Sequence, residues 1–353
     1  MVPLTRSRPA IPRNRLIALI IVGVVAAAVV VALAALATRE PPPGAVSAAA
    51  NRTASEPLPG RPGIVVPPVP GMPEDAARRV EWARALQAER PGVESALRLA
   101  GAQLAVDDVA GSVGTLTAAA QQAPNDPRLA AATALAHYAA GHPDVAITTL
   151  AALAEASEAA FVRFSYGVTL LWSGRRALGE EQLRAVRDAA PESFYGVAAD
   201  DLVHPAMPAG YPPFIPSVAY SETDFAALRR AAEAAPDQAD PQIAYAVALI
   251  AAGRRLEAAE AFGAALAVQP TLVDAKVGRI IAGYSKDNPA AAFGQMGPLV
   301  RDNPTNPSPR LHLALMLLWL RDFDGARAQL RQVAESSPDS RLGLVAQQFL
   351  DAL

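Results

Sequence analysis

The chain has 353 residues, of which 52% are hydrophobic and only 18% are charged, and this supplies enough apolar side chains for a sizeable core. The formal net charge is −3 and the basic residues include just two lysines, which argues against nucleic acid as a partner. Because the sequence contains no cysteine, it excludes disulfides, zinc–thiolate sites, iron–sulfur clusters and cysteine nucleophiles.

The first predicted element is a transmembrane helix. Residues 16–37 are 22 consecutive residues without a charge, long enough at about 1.5 Å per residue to cross a hydrocarbon core of about 30 Å. Residues 1–15 form a basic tail with four arginines and no acidic residue. The positive-inside rule therefore predicts a single-pass protein of the cell membrane, with a cytoplasmic N-terminus and an extracytoplasmic remainder. The alternative is a secreted protein, cleaved near Ala37, although signal peptides have shorter apolar runs of about 7–15 residues.

The next segment is a predicted linker. Residues 38–72 are rich in proline, glycine and small side chains, and they show no apolar periodicity. This composition predicts a disordered, partly polyproline-II tether that holds the folded part away from the membrane.

From residue 73 onward the apolar spacing is helical and a fixed period appears. Four prolines, each 34 residues after the last, end apolar helical stretches: Pro236, Pro270, Pro304 and Pro338. Ala258, Phe262 and Ala265 precede one of these prolines by twelve, eight and five residues, and apolar residues recur at these offsets in other periods. Such residues share one helix face, where a small side chain lets the preceding helix approach. Gly253, between the two helices, suits a left-handed cap.

This pattern resembles the tetratricopeptide repeat (TPR) family, whose helical hairpins are about 34 residues long. The resemblance implies an all-α fold, a right-handed superhelix of TPR-like hairpins. The uncharged run at residues 16–37 predicts one N-terminal transmembrane helix before it. The resemblance covers most of residues 90–353, within a predicted repeat domain at residues 73–353. The predicted hairpins are 93–126, 127–159, 160–193, 239–272, 273–306 and 307–340, and residues 341–353 form a capping helix.

Residues 194–238 are predicted to be a degenerate repeat. Residues 223–235 have the pattern of a second helix, but the first helix is expected to be missing. Its place is taken by residues 193–203 and by the proline-rich stretch HPAMPAGYPPFIP, residues 204–216. Our hypothesis is that three apolar residues of this insertion pack across the inner face of the repeats and narrow or fill the groove. They are Tyr211, Phe214 and Ile215.

No catalytic chemistry is indicated. The sequence has no phosphate-binding P-loop, no G-x-S-x-G elbow and no H-E-x-x-H helix. Neighbouring carboxylates, as in Asp107-Asp108 and Asp200-Asp201, point in different directions on a helix and do not converge on a substrate. The four histidines are expected to lie at the surface or to be packed. The sequence therefore predicts a non-enzymatic protein with no cofactor and no metal site.

In the TPR family the first helices line a concave groove that binds peptides, and the corresponding positions here are nearly all apolar or aromatic. They are Tyr138, Phe164, Val168, Leu171, Ile243, Val247, Ile250, Ile281, Tyr284, Leu311, Leu315 and Leu318. The lysines and asparagines that clamp a C-terminal carboxylate in chaperone-binding members are missing, so that role is disfavoured. The alternative left open is that these residues form an ordinary core between repeats.

The functional interpretation is a membrane-anchored, extracytoplasmic scaffold that binds a protein or peptide partner. The alternative is an auxiliary, non-catalytic subunit of an envelope-biogenesis or cytochrome-assembly enzyme complex. Residues 311–320 are apolar all round, so something must cover them: a partner, a second copy in a homo-oligomer, or the chain's own proline-rich segments. The Ala- and Arg-rich, Lys-poor composition is typical of a high-GC bacterium.

Overall fold

The computed structural model describes residues 60–220 and 224–353. These residues are all helical apart from turns and irregular segments, which confirms the predicted fold class in its coarse form. The chain divides into two compact units, of which the structure describes residues 60–210 in one and residues 211–220 and 224–353 in the other. The predicted basic tail, transmembrane helix and the greater part of the linker lie outside the described residues.

Eight helices belong to the first unit: α1 Ala76–Glu89, α2 Val93–Ala105, α3 Val109–Gln122, α4 Pro127–Ala139, α5 Pro143–Ala156, α6 Ala160–Trp172, α7 Arg176–Ala189 and α8 Phe194–Val203. Eight belong to the second unit: α9 Phe225–Ala234, α10 Ala239–Ala251, α11 Arg255–Val268, α12 Val273–Ala282, α13 Pro289–Asp302, α14 Pro307–Trp319, α15 Phe323–Ser336 and α16 Arg341–Ala352. Each of the six regular repeats predicted from the sequence contains two of these helices.

Within each unit the hairpins stack in chain order. Every helix packs against its neighbours in sequence, and the first helices of successive hairpins also touch each other, as α2 touches α4 and α12 touches α14. Among the described residues, no second helix contacts the second helix of another hairpin. The first helices are therefore the more tightly apposed row and the second helices the more widely spaced one, as in helical-repeat proteins.

The turns inside the hairpins use a left-handed backbone conformation. Gly174 and Gly253 have φ values of 80° and 78°, which glycine adopts without steric cost, and this confirms the left-handed cap predicted at Gly253. Two other hairpins place Asp107 and Arg321 at the equivalent turn, with φ values of 65° and 59°. The turn geometry is thus kept even where the residue is not glycine.

The small and large apolar residues at the repeated offsets form the contact between helices. Ala258, Phe262 and Ala265 are all fully buried on α11. The ring of Phe262 lies against Gly278 of α12, where an added Cβ would stand only 2.3 Å from the ring. The repeated offsets in the sequence therefore correspond to observed helix packing. Gly278 leaves the space that the ring of Phe262 occupies.

Two expectations need correction. The predicted disordered linker is ordered at its end, because residues 61–69 follow a defined path and Ile64 is buried in the core of the first unit.

The degenerate repeat is not missing its first helix: α8 is short but present. Ser193 caps α8 by accepting a hydrogen bond from the N–H of Gly196 at 3.0 Å, so ten residues suffice for a helix before the proline-rich stretch.

No helix in the described part of the chain is long and apolar enough to cross a membrane. The segment predicted to do so, residues 16–37, is not among the described residues.

Candidate functional site

The feature that bears most directly on function is an extended segment in the second unit, residues 211–217, which we call the second strap. Its ring at Phe214 is buried, with only 8% of the residue exposed. That ring meets Phe262 edge-on at a centroid distance of 5.2 Å and stacks on the imidazole of His312 at 5.1 Å. The proline-rich insertion therefore lies against the repeat helices.

The backbone of the second strap is held by side chains from three successive first helices. The N–H of Ile215 donates to Nε2 of His312 on α14 at 2.9 Å. The N–H of Ser217 donates to Asp274 on α12 at 3.0 Å, and the Ser217 hydroxyl donates to the same carboxylate at 2.9 Å. Arg341 on α16 donates to the carbonyl of Pro216 at 3.2 Å. The row of first helices thus binds an extended polypeptide through its main chain.

His312 can serve as an acceptor because it is neutral. Its imidazole is fully buried, and burial lowers the pKa of His312 to about 4. The Nδ1–H donates to the carbonyl of Ser308 at 2.7 Å, which leaves Nε2 as the acceptor for the strap. Protonation of Nε2 would place two donors face to face, so the bound strap and the neutral imidazole depend on each other.

The strap begins with a cation–π contact. The guanidinium carbon of Arg255 lies 3.2 Å from the ring centroid of Tyr211, and Nζ of Lys286 lies 5.3 Å from the same ring. Tyr211, Phe214 and Ile215, the three residues singled out in the insertion, therefore all contact repeat helices or the turn between α12 and α13.

The same strap accounts for part of the cover over the apolar helix α14. Leu311, Leu315 and Leu318 are fully buried in a cluster with residues of α15 and α16, and Ile215 packs against that cluster. Of the three kinds of cover that the sequence left open, the structure contains the protein's own proline-rich segment.

The first unit contains a counterpart, residues 61–67, which we call the first strap. Ile64 anchors it in the core. Arg98 of α2 donates to the carbonyl of Pro67, and the hydroxyl of Tyr195 on α8 donates to the carbonyl of Val65 at 3.2 Å. Gly101 of α2 permits the close approach, because an added Cβ would lie 2.8 Å from the carbonyl oxygen of Ile64.

The structure buries most of the twelve residues proposed for an open groove. Nine of them are core residues: Phe164, Val168, Leu171, Ile243, Ile281, Tyr284, Leu311, Leu315 and Leu318. The reason is that each first helix has neighbours on both sides in the stack, so its apolar stripe faces other helices. The remaining three, Tyr138, Val247 and Ile250, are half-buried and contribute apolar surface to the first-helix row.

The spacing of apolar residues does not reveal the polar residues that hold the straps. One signal was visible: His312 is the single potentially charged residue in an otherwise apolar stretch, residues 311–320. Asp274, Arg341, Arg98 and Tyr195 carry no comparable sequence signal, because their partners are backbone atoms of distant segments.

The carboxylates have structural roles. Asp108 caps α3 by accepting from the N–H of Gly111 at 2.8 Å, and Asp201 accepts from the N–H of Gly210 at 3.0 Å. Asp200 is buried beside Arg187 and His204, at 3.3 Å and 3.2 Å. Within residues 60–220 and 224–353, no group of three or more metal-ligating side chains could hold an ion.

Comparison with known proteins gives only a distant likeness. No protein-family model matches the chain, and no curated protein matches it. Solved structures do match. Yeast Tom70 aligns at 11% identity and a TM-score of 0.33, covering 78% of this chain and 76% of Tom70. A TPR protein from Parabacteroides merdae aligns at 11% identity and a TM-score of 0.30, covering 77% of this chain and 98% of its own.

The C-terminal part of a TPR repeat-containing protein from Cytophaga hutchinsonii aligns at 13% identity and a TM-score of 0.28, covering 76% of this chain and 98% of its own. All three TM-scores lie below 0.5, so nothing about the partners of this chain follows from them. The assignment of stacked helical hairpins rests on the packing described above.

Proposed function

We propose that this protein is a non-enzymatic TPR-like scaffold that binds extended segments of a protein partner along its first helices. The observation that carries the proposal is the second strap. Side chains on α12, α14 and α16 already hold an extended stretch of polypeptide by its main-chain atoms and by one buried ring. Main-chain hydrogen bonds with a few side-chain anchors are a recurring way to bind peptides.

The partner would contact the half-buried apolar residues that the straps leave available. Val247 and Ile250 on α10 belong to this set in the second unit, and Tyr138 on α4 belongs to it in the first. Apolar side chains would supply contact area for the partner, while polar side chains would favour a partner segment with an extended main chain. The apolar core and the two straps keep the surface preformed, which reduces the entropy lost on binding.

Site-specific photo-crosslinking in cells tests this proposal. A photoreactive amino acid at Val247, on a first helix, should give a discrete crosslinked product. The matched control is Leu256 of the same hairpin, which is exposed at the start of the second helix α11 and should give none. Equal crosslinking at both positions, or at neither, would refute the assignment of the binding face. A single crosslinked enzyme would favour the auxiliary-subunit alternative over a general scaffold.

We further propose that residues 16–37 anchor the scaffold in the cell membrane with residues 73–353 outside the cytoplasm. The support is the uncharged 22-residue run and the arginine-rich tail before it. A tether of residues 38–60 would keep the binding face near the membrane and raise its local concentration there.

The absence of native cysteine makes the topology easy to test. A membrane-impermeant maleimide should label Ala110→Cys, at an exposed position of α3, in intact spheroplasts, and should label Ser7→Cys only after lysis. Labelling of Ser7→Cys from outside would overturn the orientation. Recovery of a soluble protein that lacks residue 7 would instead show that the segment is a cleaved signal peptide.

A further inference from the structure

We infer that a cavity in the first unit, between the first strap and helices α1 and α2, is a binding site for an organic carboxylate with an apolar body. The cavity has a volume of about 430 Å³, within the range of about 300–1,000 Å³ that is usual for small-molecule sites. It is bounded on one side by the backbone of residues 61–66 and on the others by side chains of α1 and α2. This site is separate from the first-helix face of the second unit on which the proposed function rests.

Three arginines line the cavity, and its lining contains no acidic side chain. They are Arg61, Arg79 and Arg98. In the described part of the chain only one carboxylate pairs with any of them: Asp107 contacts Arg61, and its side chain is 85% exposed. Three guanidinium groups around one cavity, with one exposed counter-charge, give a strongly positive interior that favours an anion.

Arg98 is the most informative of the three. Only 8% of the residue is exposed, and no carboxylate within the described residues lies at salt-bridge distance from it. It donates from Nη1 to the carbonyl of Pro67, which uses one of the five N–H donors of the guanidinium. A buried charge that meets only a neutral carbonyl is costly, and an anionic ligand would offset that cost.

The other two arginines are fixed in place by backbone carbonyls. Arg79 donates from Nε to the carbonyl of Pro73 at 3.0 Å and from Nη2 to that of Glu74 at 2.7 Å, and Arg61 donates to the carbonyl of Leu104 at 2.6 Å. These bonds orient the guanidinium groups without neutralising them. Each retains N–H donors, and the planar fork of an arginine matches the two oxygens of a carboxylate.

The remaining walls are apolar, which specifies the rest of the ligand. Ile64, Val66, Met72, Trp82 and Leu104 line the cavity together with the arginines. An inorganic anion would leave the half-buried Val66, Met72 and Trp82 without a partner, whereas an aromatic or aliphatic body would bury them. The fitting chemistry is therefore a carboxylate on a compact apolar group, either a free acid or the C-terminal residue of a peptide.

Saturation-transfer NMR on the full chain in a non-ionic detergent tests this inference with phenylacetate as the probe. Phenylacetate should bind at least 10-fold more tightly than phenylacetamide, which has the same shape without the charge. Benzylphosphonate, with a tetrahedral anion, should bind more weakly than phenylacetate. Comparing the dipeptide Ala-Phe with its C-terminal amide then distinguishes a peptide terminus from a free acid as the source of the carboxylate.

Variants locate the site. Arg98→Gln should abolish binding of phenylacetate, whereas Arg84→Gln, an exposed arginine of α1, should leave it unchanged. Because Arg98 also holds the first strap, a second variant is needed: Ala105→Phe changes an exposed rim residue, should fill the mouth of the cavity, and removes no hydrogen bond of the arginines. Equal binding of acid and amide, tighter binding of the phosphonate, or unchanged binding in both Arg98→Gln and Ala105→Phe would overturn the assignment.

Discussion

The two units hold their proline-rich straps by different sets of hydrogen bonds. In the first unit, Arg98 and Tyr195 donate to strap carbonyls, and no strap N–H is engaged by a helix side chain in the described contacts. In the second unit, His312 and Asp274 accept from strap N–H groups, and Arg341 donates to the carbonyl of Pro216. Proline has no main-chain N–H, so only the non-proline residues of a strap can donate main-chain hydrogen bonds to the helices.

The anchors differ as well. The first strap is anchored by aliphatic side chains, the buried Ile64 and the half-buried Val66, and contains no aromatic residue. The second strap carries Phe214, between an aromatic ring and an imidazole, and Tyr211 beneath a guanidinium. The second strap should therefore contribute more to the stability of its unit than the first. The difference can be tested by removing its contacts one at a time.

The largest effect is expected from Phe214→Ala. Removal of a buried ring leaves a cavity against Phe262 and His312 and should lower the free energy of unfolding of the second unit by about 3 kcal/mol. Urea unfolding followed by pulsed hydrogen exchange and mass spectrometry reports the two units separately. The control is Val218→Ala, because Val218 is 58% exposed just beyond the strap and should change stability by less than about 0.5 kcal/mol. A loss shared equally by both units would contradict this assignment.

The second largest effect concerns pH. Burial lowers the pKa of His312 to about 4, whereas a histidine in the unfolded chain has a pKa of about 6.5. Between these values the unfolded chain binds the proton and the folded chain does not, so the second unit loses stability as the pH falls. By pH 5 the expected loss is about 2 kcal/mol relative to pH 7.

The control for this prediction is His312→Gln, which has no titrating imidazole. Its second unit should show a flatter stability profile between pH 7 and pH 5 than the unsubstituted protein. The first unit has no fully buried histidine among its described residues, so it provides an internal reference. Identical pH profiles for the two proteins would show that His312 is not the group responsible.

The sequence alone predicted the hairpins well, for a physical reason. A 34-residue period with prolines at its end and small residues at fixed offsets records local geometry, and Ala258, Phe262 and Ala265 are buried as that pattern requires. The transmembrane helix and its orientation stay predictions, because residues 16–37 lie outside the described part of the chain.

The straps were only partly predictable. The composition of residues 61–67 is that of a flexible tether, and its order depends on Ile64, Gly101 and Arg98 meeting across more than thirty positions of sequence. For a related reason, the sequence could not show which of the twelve predicted groove residues are buried between helices. Burial of Leu311 or Ile281 depends on which helix covers it. The sequence pattern of an apolar stripe is the same whether a partner or a neighbouring repeat packs against it.

A smaller effect is expected in the first unit from Tyr195→Phe. The substitution removes the hydroxyl that donates to the carbonyl of Val65 and keeps the ring among its aromatic neighbours, so the expected loss is about 1 kcal/mol. Hydrogen exchange should quicken in peptides that contain the first strap and stay unchanged in the second unit. Tyr166→Phe serves as the control, because that hydroxyl makes no hydrogen bond within the described residues. Equal effects of the two substitutions would mean that the bond to Val65 contributes nothing measurable.

The smallest effect is expected from Tyr211→Leu, which removes the ring under Arg255 but keeps an apolar side chain. A partly exposed cation–π contact contributes about 0.5–1 kcal/mol, so the second unit should remain folded while the start of the strap opens more often. Exchange at the amides of Ile215 and Ser217 measures this opening, since both are bonded to helix side chains. Tyr211→Phe keeps the face of the ring and should lose less than Tyr211→Leu. If the two substitutions are equivalent, the ring face is not what holds the strap, and the greater stability expected of the second strap would depend on Phe214 alone.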